Sequence, residues 1–198
     1  MKKIIGLALL IIVLLCSCSG RVVTYTLDEN SSVNESGNNY TVKQTDVGKI
    51  FLEIHDKCGN VFYNEEDTSL GMTVVQNGDL VSVQRILGAN SHSDQFFDVD
   101  KKLISNVFTN AIAKSDDAIA YLKYADDHSK ITLIVQPLFD DDHHYEEFER
   151  DYLDEYKGNY FLTGEFSEDG TELTINYLTY PDYEEKQDVI PLNCQPEA

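Results

Sequence analysis

Residues 72–87 read MTVVQNGDLVSVQRIL, two runs of alternating, β-prone residues that meet at Asn77-Gly78. Asn-Gly supplies the positive backbone angles of a type I′ turn, whose twist suits the flanking strands, so the runs are expected to pair as an antiparallel hairpin. A second hairpin is expected further on, where NYFLTGEF (159–166) and TELTINYLTY (171–180) flank Ser167–Gly170. Between the two lie AIAYLKY (118–124), readable as strand or helix, and KITLIVQ (130–136), a strand stopped by Pro137. Ile131 to Val135 is apolar at nearly every position, which suggests a strand buried on both faces at the centre of a sheet.

Three other segments show helical spacing. From Asp46 to Cys58, Thr45 or Asp46 can cap; Val47, Ile50, Phe51, Ile54 and Cys58 share a face, and Gly59 sits where a left-handed C-cap belongs. From Asp100 to Lys114, Leu103, Ile104, Val107, Phe108, Ala111 and Ile112 make a broad stripe. From Tyr145 to Lys157, the marks are Tyr145, Phe148, Tyr152 and Tyr156, with Gly158-Asn159 ending the run. The expected class is therefore mixed α/β (α+β), a largely antiparallel sheet packed against about three helices. Residues 40–198 are expected to form this single domain. Residues 18–39, rich in Ser and Asn around LDENSSVNESGNN, read as a flexible tether.

The first twenty residues, MKKIIGLALLIIVLLCSCSG, place Lys2 and Lys3 before an apolar run from Ile4 to Leu15. As a helix this run reaches roughly 18 Å, short of the ~30 Å bilayer core, so it reads as a cleavable signal-peptide core. The competing reading is an uncleaved anchor, disfavoured by the small, polar Ser17, Ser19 and Gly20 directly after it. No second long apolar run follows.

At the end of that core, Leu15-Cys16-Ser17-Cys18 resembles the lipobox of bacterial lipoproteins: an aliphatic residue at minus three, small residues at minus two and minus one, then the modified cysteine. Cys18 matches all four positions. Cys16 does not, because Leu15 would fall at the minus-one site, where the family's peptidase takes small residues. The resemblance implies thioether-linked diacylglycerol on Cys18, loss of residues 1–17, and usually a third acyl chain on the new amino group. Two or three chains hold a protein at a membrane essentially permanently, where one myristoyl chain is marginal. The expected location is the bacterial cell envelope, lipid-anchored. Ser19 at the second mature position is what enteric-type bacteria forward to the outer membrane, with the domain facing the periplasm or the cell surface.

Loss of Lys2 and Lys3 leaves 13 basic residues against 35 acidic ones, a mature net charge of −22. Nucleic acid is excluded as a partner, and adhesion to anionic headgroups by overall charge is too. From Leu138 onward 18 acids face three bases, consistent with a solvated face or with a basic protein partner. Besides Cys18, the mature chain holds Cys58 and Cys194, which either form a disulfide in an oxidising compartment or remain two buried thiols.

The strand chemistry of the second hairpin, Tyr160-Phe161-Leu162-Thr163-Gly164 followed by Asp169-Gly170, Leu173 and Ile175, resembles a hairpin of the TolB amino-terminal-like envelope domains. Residues 145–180 carry that resemblance, and in those domains too a helix precedes the hairpin. It implies a binding or assembly module. Asp140-Asp141-Asp142-His143-His144-Tyr145-Glu146-Glu147 is the densest set of potential metal ligands. His143 or His144 with Glu147 lies at helical spacing and could take zinc, although three aspartates also suit a helix start. His55, His92 and His128 are scattered, with His55 expected on the solvent face of the first helix. No nucleophile motif or phosphate-cradling glycine pattern occurs, so neither an enzyme nor a cofactor is expected. Three functions remain: a non-enzymatic protein-binding or assembly module, an immunity or inhibitor lipoprotein against a basic toxin or hydrolase, and a metal-dependent enzyme or metal-binding protein using the Asp140–Glu147 cluster.

Overall fold

The computed structural model describes residues 21–26, 34–36, 38–44, 49–88, 91–126, 130–139, 146–155, 162–179 and 181–193. In chain order the strands are β1 (Arg21–Thr26), β2 (Asn34–Ser36), β3 (Tyr40–Gln44), β4 (Ile50–His55), β5 (Val61–Asp67), β6 (Gly71–Asn77), β7 (Leu80–Gly88) and β8 (Ser91–Asp98). There follow β9 (Leu103–Ile104), β10 (Phe108–Thr109), β11 (Ala111–Lys114), β12 (Ala118–Tyr124), β13 (Ile131–Pro137) and β14 (Glu146–Phe148). After the one described helix, α1 (Asp151–Glu155), come β15 (Leu162–Phe166), β16 (Glu172–Leu178) and β17 (Glu185–Pro191). Two of these strands, β1 and β2, lie in the stretch whose composition reads as a tether.

The fold is nearly all antiparallel β-sheet, which overturns the expected α/β mixture with about three helices. Each of the three expected helices fails for a local reason. In 46–58, Ile50 and Ile54 are four apart, a spacing that fits both a helix face and a strand face; Leu52 decides, because Ile50, Leu52 and Ile54 are all buried and alternate with half-buried neighbours. Gly59 does adopt a positive φ, but in the turn after β4, where its amide donates to the Asp56 carbonyl.

In 100–114, Asp98 Oδ1 accepts from the amides of Asp100 and Lys101, closing a turn, and Lys102 and Asn110 sit at φ 57° and 59°, which a right-handed helix does not allow. The Ser105 hydroxyl accepts from the Phe96 amide, so this segment is stitched to a strand, and Leu103, Ile104 and Val107 are exposed. In 145–157 the chain forms β14 and the single turn α1; Tyr145, Tyr156 and Lys157 lie outside the described residues.

The chain divides into two compact units, Met1–Val83 with Asp98–Lys102, and Gln84–Phe97 with Leu103–Ala198, so β7 passes from the first into the second. In unit 1, β2-β3-β4-β5 form one sheet and β1 pairs β6, which pairs β7. The β6–β7 hairpin forms as the sequence implies, one residue displaced: Gly78 and Asp79 are the turn residues, and only Gly78 has a positive φ, the pattern of a II′ turn rather than I′. The buried apolar side chains of unit 1 are Tyr40, Val42, Ile50, Leu52, Ile54, Met72, Val74, Val81, Val83 and Val99.

Buried Asp56 ties turns together at one end of unit 1: Oδ1 accepts from the amides of Cys58 and Asn60, and Oδ2 from Lys102 Nζ at 2.6 Å. Lys57 Nζ bridges Asp79 at 2.8 Å and Asp100 at 3.0 Å.

In unit 2, β7 and β8 pair, with β9 and β10 on β8. A sheet β11-β12-β13-β14 and a sheet β15-β16-β17 enclose a core of Ala113, Ala120, Leu122, Ile131, Leu133, Val135, Leu153, Leu173, Ile175 and Ile190. As its composition implies, β13 is central and buries Ile131, Leu133, Ile134 and Val135. The β15–β16 hairpin forms around Ser167–Gly170, where Asp169 accepts from the Ser167 and Thr171 hydroxyls and the Thr171 amide. Tyr152 of α1 stacks on Tyr177 at 4.0 Å and donates to Asp188 Oδ2, which Arg150 also engages.

Where β11 passes β15, a Cβ added to Gly164 would lie 3.0 Å from Ala113 Cβ and 3.1 Å from Ile175 Cδ1. Gly164→Ala should therefore overpack this contact and cost about 1–3 kcal/mol of stability, read by urea denaturation. In unit 1, the Lys102 ammonium, followed by the Asn60 amides, holds the Asp56 carboxyl well below the usual carboxylate range. That stabilisation is present at neutral pH and lost as pH falls below the unfolded-state value of 3.8. Asp56→Asn should therefore lower the melting temperature at neutral pH, and the gap to the wild type should narrow steadily as melts are repeated at more acid pH.

Candidate functional site

Alternation along β8 puts His92 and Asp94 two residues apart on one face of the strand. Asp94 is 1 % exposed, and its Oδ1 accepts from Lys114 Nζ at 2.8 Å and from Gln84 Nε2 at 3.3 Å. Oδ2 makes no hydrogen bond, and His92 Nε2 stands 3.4 Å from it. Lys114 reaches this point from the end of β11, just after the register shift that sets Ile112 out of step with β12; such bulges re-aim the side chains that follow them. With Ala111, Ile112, Ala113 and Gly164 these groups line a pocket of about 240 Å³. That is below the roughly 300–1,000 Å³ of small-molecule sites, so it has room for a small group only. Its chemistry is that of a carboxylate held between an ammonium and an imidazole, with one buried oxygen left without a hydrogen bond.

The second surface is the outer face of β15-β16-β17. Register sets Thr163, Asn176 and Gln187 side by side, then Glu165, Thr174 and Val189, then Leu178 and Glu185. Gln187 Nε2 donates to Asn176 Oδ1 at 3.2 Å across this face, while Leu173, Ile175 and Ile190 bury the opposite one. Glu165, Glu172, Glu185 and Val189 are exposed, and a groove of about 470 Å³ runs past Thr163, Asn176, Tyr177, Leu178, Glu185, Lys186 and Gln187, with Lys186 its one basic residue. Amide, hydroxyl and aliphatic side chains ringed by carboxylates suit a protein surface rich in donors and basic groups.

Of the site residues expected from sequence, Cys16, Cys18, Cys194, His128, His143 and His144 lie outside the described residues. Cys58 is exposed in the turn after β4, and Glu147 is exposed on β14. Among the described residues no group of three or more His, Cys, Asp or Glu is placed to hold a metal. His55 is not on a helix; it ends β4, half-buried, with Nε2 3.3 Å from Thr41 Oγ1. The His92–Asp94 pair was open to discovery in Ser91-His-Ser-Asp94 by strand alternation. Lys114 is twenty residues away and no local pattern connects it.

No family model matches the chain, and a search of the curated proteins finds no match either.

Removing Lys114 leaves a buried carboxylate without its cation. Lys114→Met should therefore destabilise by about 1–3 kcal/mol, and adding Asp94→Asn should recover part of the loss, a coupling that a double-mutant cycle in urea measures directly.

Proposed function

We propose that this chain is a bacterial envelope lipoprotein, anchored by diacylglycerol on Cys18, whose domain is a non-enzymatic protein-binding or assembly module. The anchor rests on Leu15-Cys16-Ser17-Cys18 at the end of a signal core. The observation that carries the binding role is the outer face of β15-β16-β17, where Glu165, Glu172 and Glu185 surround amide, hydroxyl and aliphatic side chains. Its partner is a basic protein; a toxin or hydrolase neutralised by an immunity lipoprotein is one of that kind, and a component of an envelope machine is another. The acidic excess after Leu138, 18 acids to three bases, favours the same kind of partner. Steering by such a field raises association rates and weakens with salt.

Two measurements test the two halves. A fatty-acid analogue should label the wild type and Cys16→Ala but not Cys18→Ala; label retained by Cys18→Ala would remove the anchor. A partner isolated by crosslinking should bind with salt-sensitive affinity, and the triple reversal Glu165→Lys, Glu172→Lys, Glu185→Lys should weaken it at least tenfold, about 1.4 kcal/mol, while the melting temperature stays close to wild type. Unchanged affinity in that variant would move the interface elsewhere.

A further inference from the structure

Strand β1 pairs β6 with Arg21 opposite Gln76 and Thr26 opposite Gly71. The chain thus enters unit 1 beside the β6–β7 turn and runs away from it. Only Ser19 and Gly20 separate Cys18 from Arg21, so at no more than about 3.6 Å per residue Cys18 lies within roughly 11 Å of the strand's first residue. Whatever membrane holds Cys18 is therefore close to this end of unit 1. The other end, where the 68–70 turn joins β5 to β6, is seven residues of β6 further on, about 20 Å along an extended strand.

The two ends differ in charge. Near Arg21 the turns 56–60, 78–79 and 98–102 are drawn together: Lys57 joins Asp79 and Asp100, Lys102 joins Asp56, and the Val99 amide donates to the Asp79 carbonyl. The side chains of Lys57, Lys101 and Lys102 are 49 %, 71 % and 56 % exposed, whereas that of Asp56 is buried at 3 % and that of Asp98 mostly covered at 17 %. Among the described residues the exposed carboxylates there are Asp79 and Asp100, both paired with Lys57. On a chain of such acidity this is a patch of near balance. The far end carries three carboxylates, Glu65, Glu66 and Asp67, at the end of β5, against one ammonium among the described residues, Lys49, which pairs with Glu66.

From tether length and charge together we infer that the end of unit 1 formed by the turns 56–60, 78–79 and 98–102 lies against the lipid headgroups. The surface it meets is that of the membrane into which Cys18 is inserted, so the inference rests on the anchor proposed above. A unit lying flat would bring the carboxylates of Glu65, Glu66 and Asp67 to the same surface, where anionic headgroups repel them. Standing on its balanced end, unit 1 holds the β5–β6 turn outward.

Cys58, exposed in the 56–60 turn, gives the test a reporter at the membrane end, and exposed Thr68 gives one at the other. Full-length lipidated protein carrying Cys194→Ser is labelled with a fluorophore on Cys58; a second version carries Cys58→Ser, Cys194→Ser and Thr68→Cys. Each is incorporated into vesicles of phosphatidylethanolamine and phosphatidylglycerol containing headgroup spin-labelled lipid. The label on Cys58 should be quenched several-fold more than the label at position 68. Equal quenching, or stronger quenching at position 68, in protein that floats with the vesicles overturns the orientation and leaves the anchor standing. Protein that does not float, with no diacylglycerol on Cys18 by mass spectrometry, overturns the anchor and the orientation with it.

Discussion

Strands such as β4 and β13 must bury their apolar faces while pairing their backbone along both edges, and much of the structure follows from meeting both demands at once. Alternating Ile50, Leu52 and Ile54 give β4 a single apolar face, so β4 sits between β3 and β5 with its other face half-buried. The run Ile131–Val135 has apolar side chains on both faces, so β13 takes a central place between β12 and β14. Where two strand edges come closest, the demand falls on one atom: Gly164 lacks the Cβ that would press on Ala113. This gives a packing reason for the glycine in the Leu162-Thr163-Gly164 pattern, independent of any kinship that pattern suggests.

Charge is arranged with the same economy. A chain with 35 acidic residues cannot bury many of them, and the two buried deepest among the described residues, Asp56 and Asp94, each have a lysine and further donors. A buried carboxylate is costly unless paired and hydrogen-bonded, so such groups mark places where geometry is fixed. Asp56 fixes the meeting of turns at one end of unit 1. Asp94 fixes the floor of a small pocket in unit 2 and keeps one oxygen without a hydrogen bond. On β15-β16-β17 the exposed carboxylates of Glu165, Glu172 and Glu185 frame the face on which a partner is proposed to bind.

How far the sequence could be read depended on how local each signal was. The Asn77-Gly78 and Ser167–Gly170 turns were legible because a glycine or an Asx turn acts within a few residues, though the first turn settled one residue later than its dipeptide suggests. The three helices were not, because spacings of four residues fit both periods and the strand reading of Leu52, or the left-handed Lys102 and Asn110, appears only once partners are known. His92 and Asp94 were within reach of alternation on one strand; Lys114, brought across by β11, was not.

By itself, then, the sequence determined what is written in contiguous residues: an apolar run ending in a Cys18 motif that resembles a lipobox, the acidity, the two hairpins and the two-faced β13. The tertiary structure alone decided that the chain is nearly all β, which carboxylates are buried, and that β1 enters beside the β6–β7 turn. The physical reason is that local turn and composition signals need no partner, whereas strand pairing and burial are settled by residues tens of positions apart, such as Arg21 with Gln76 or Asp94 with Lys114.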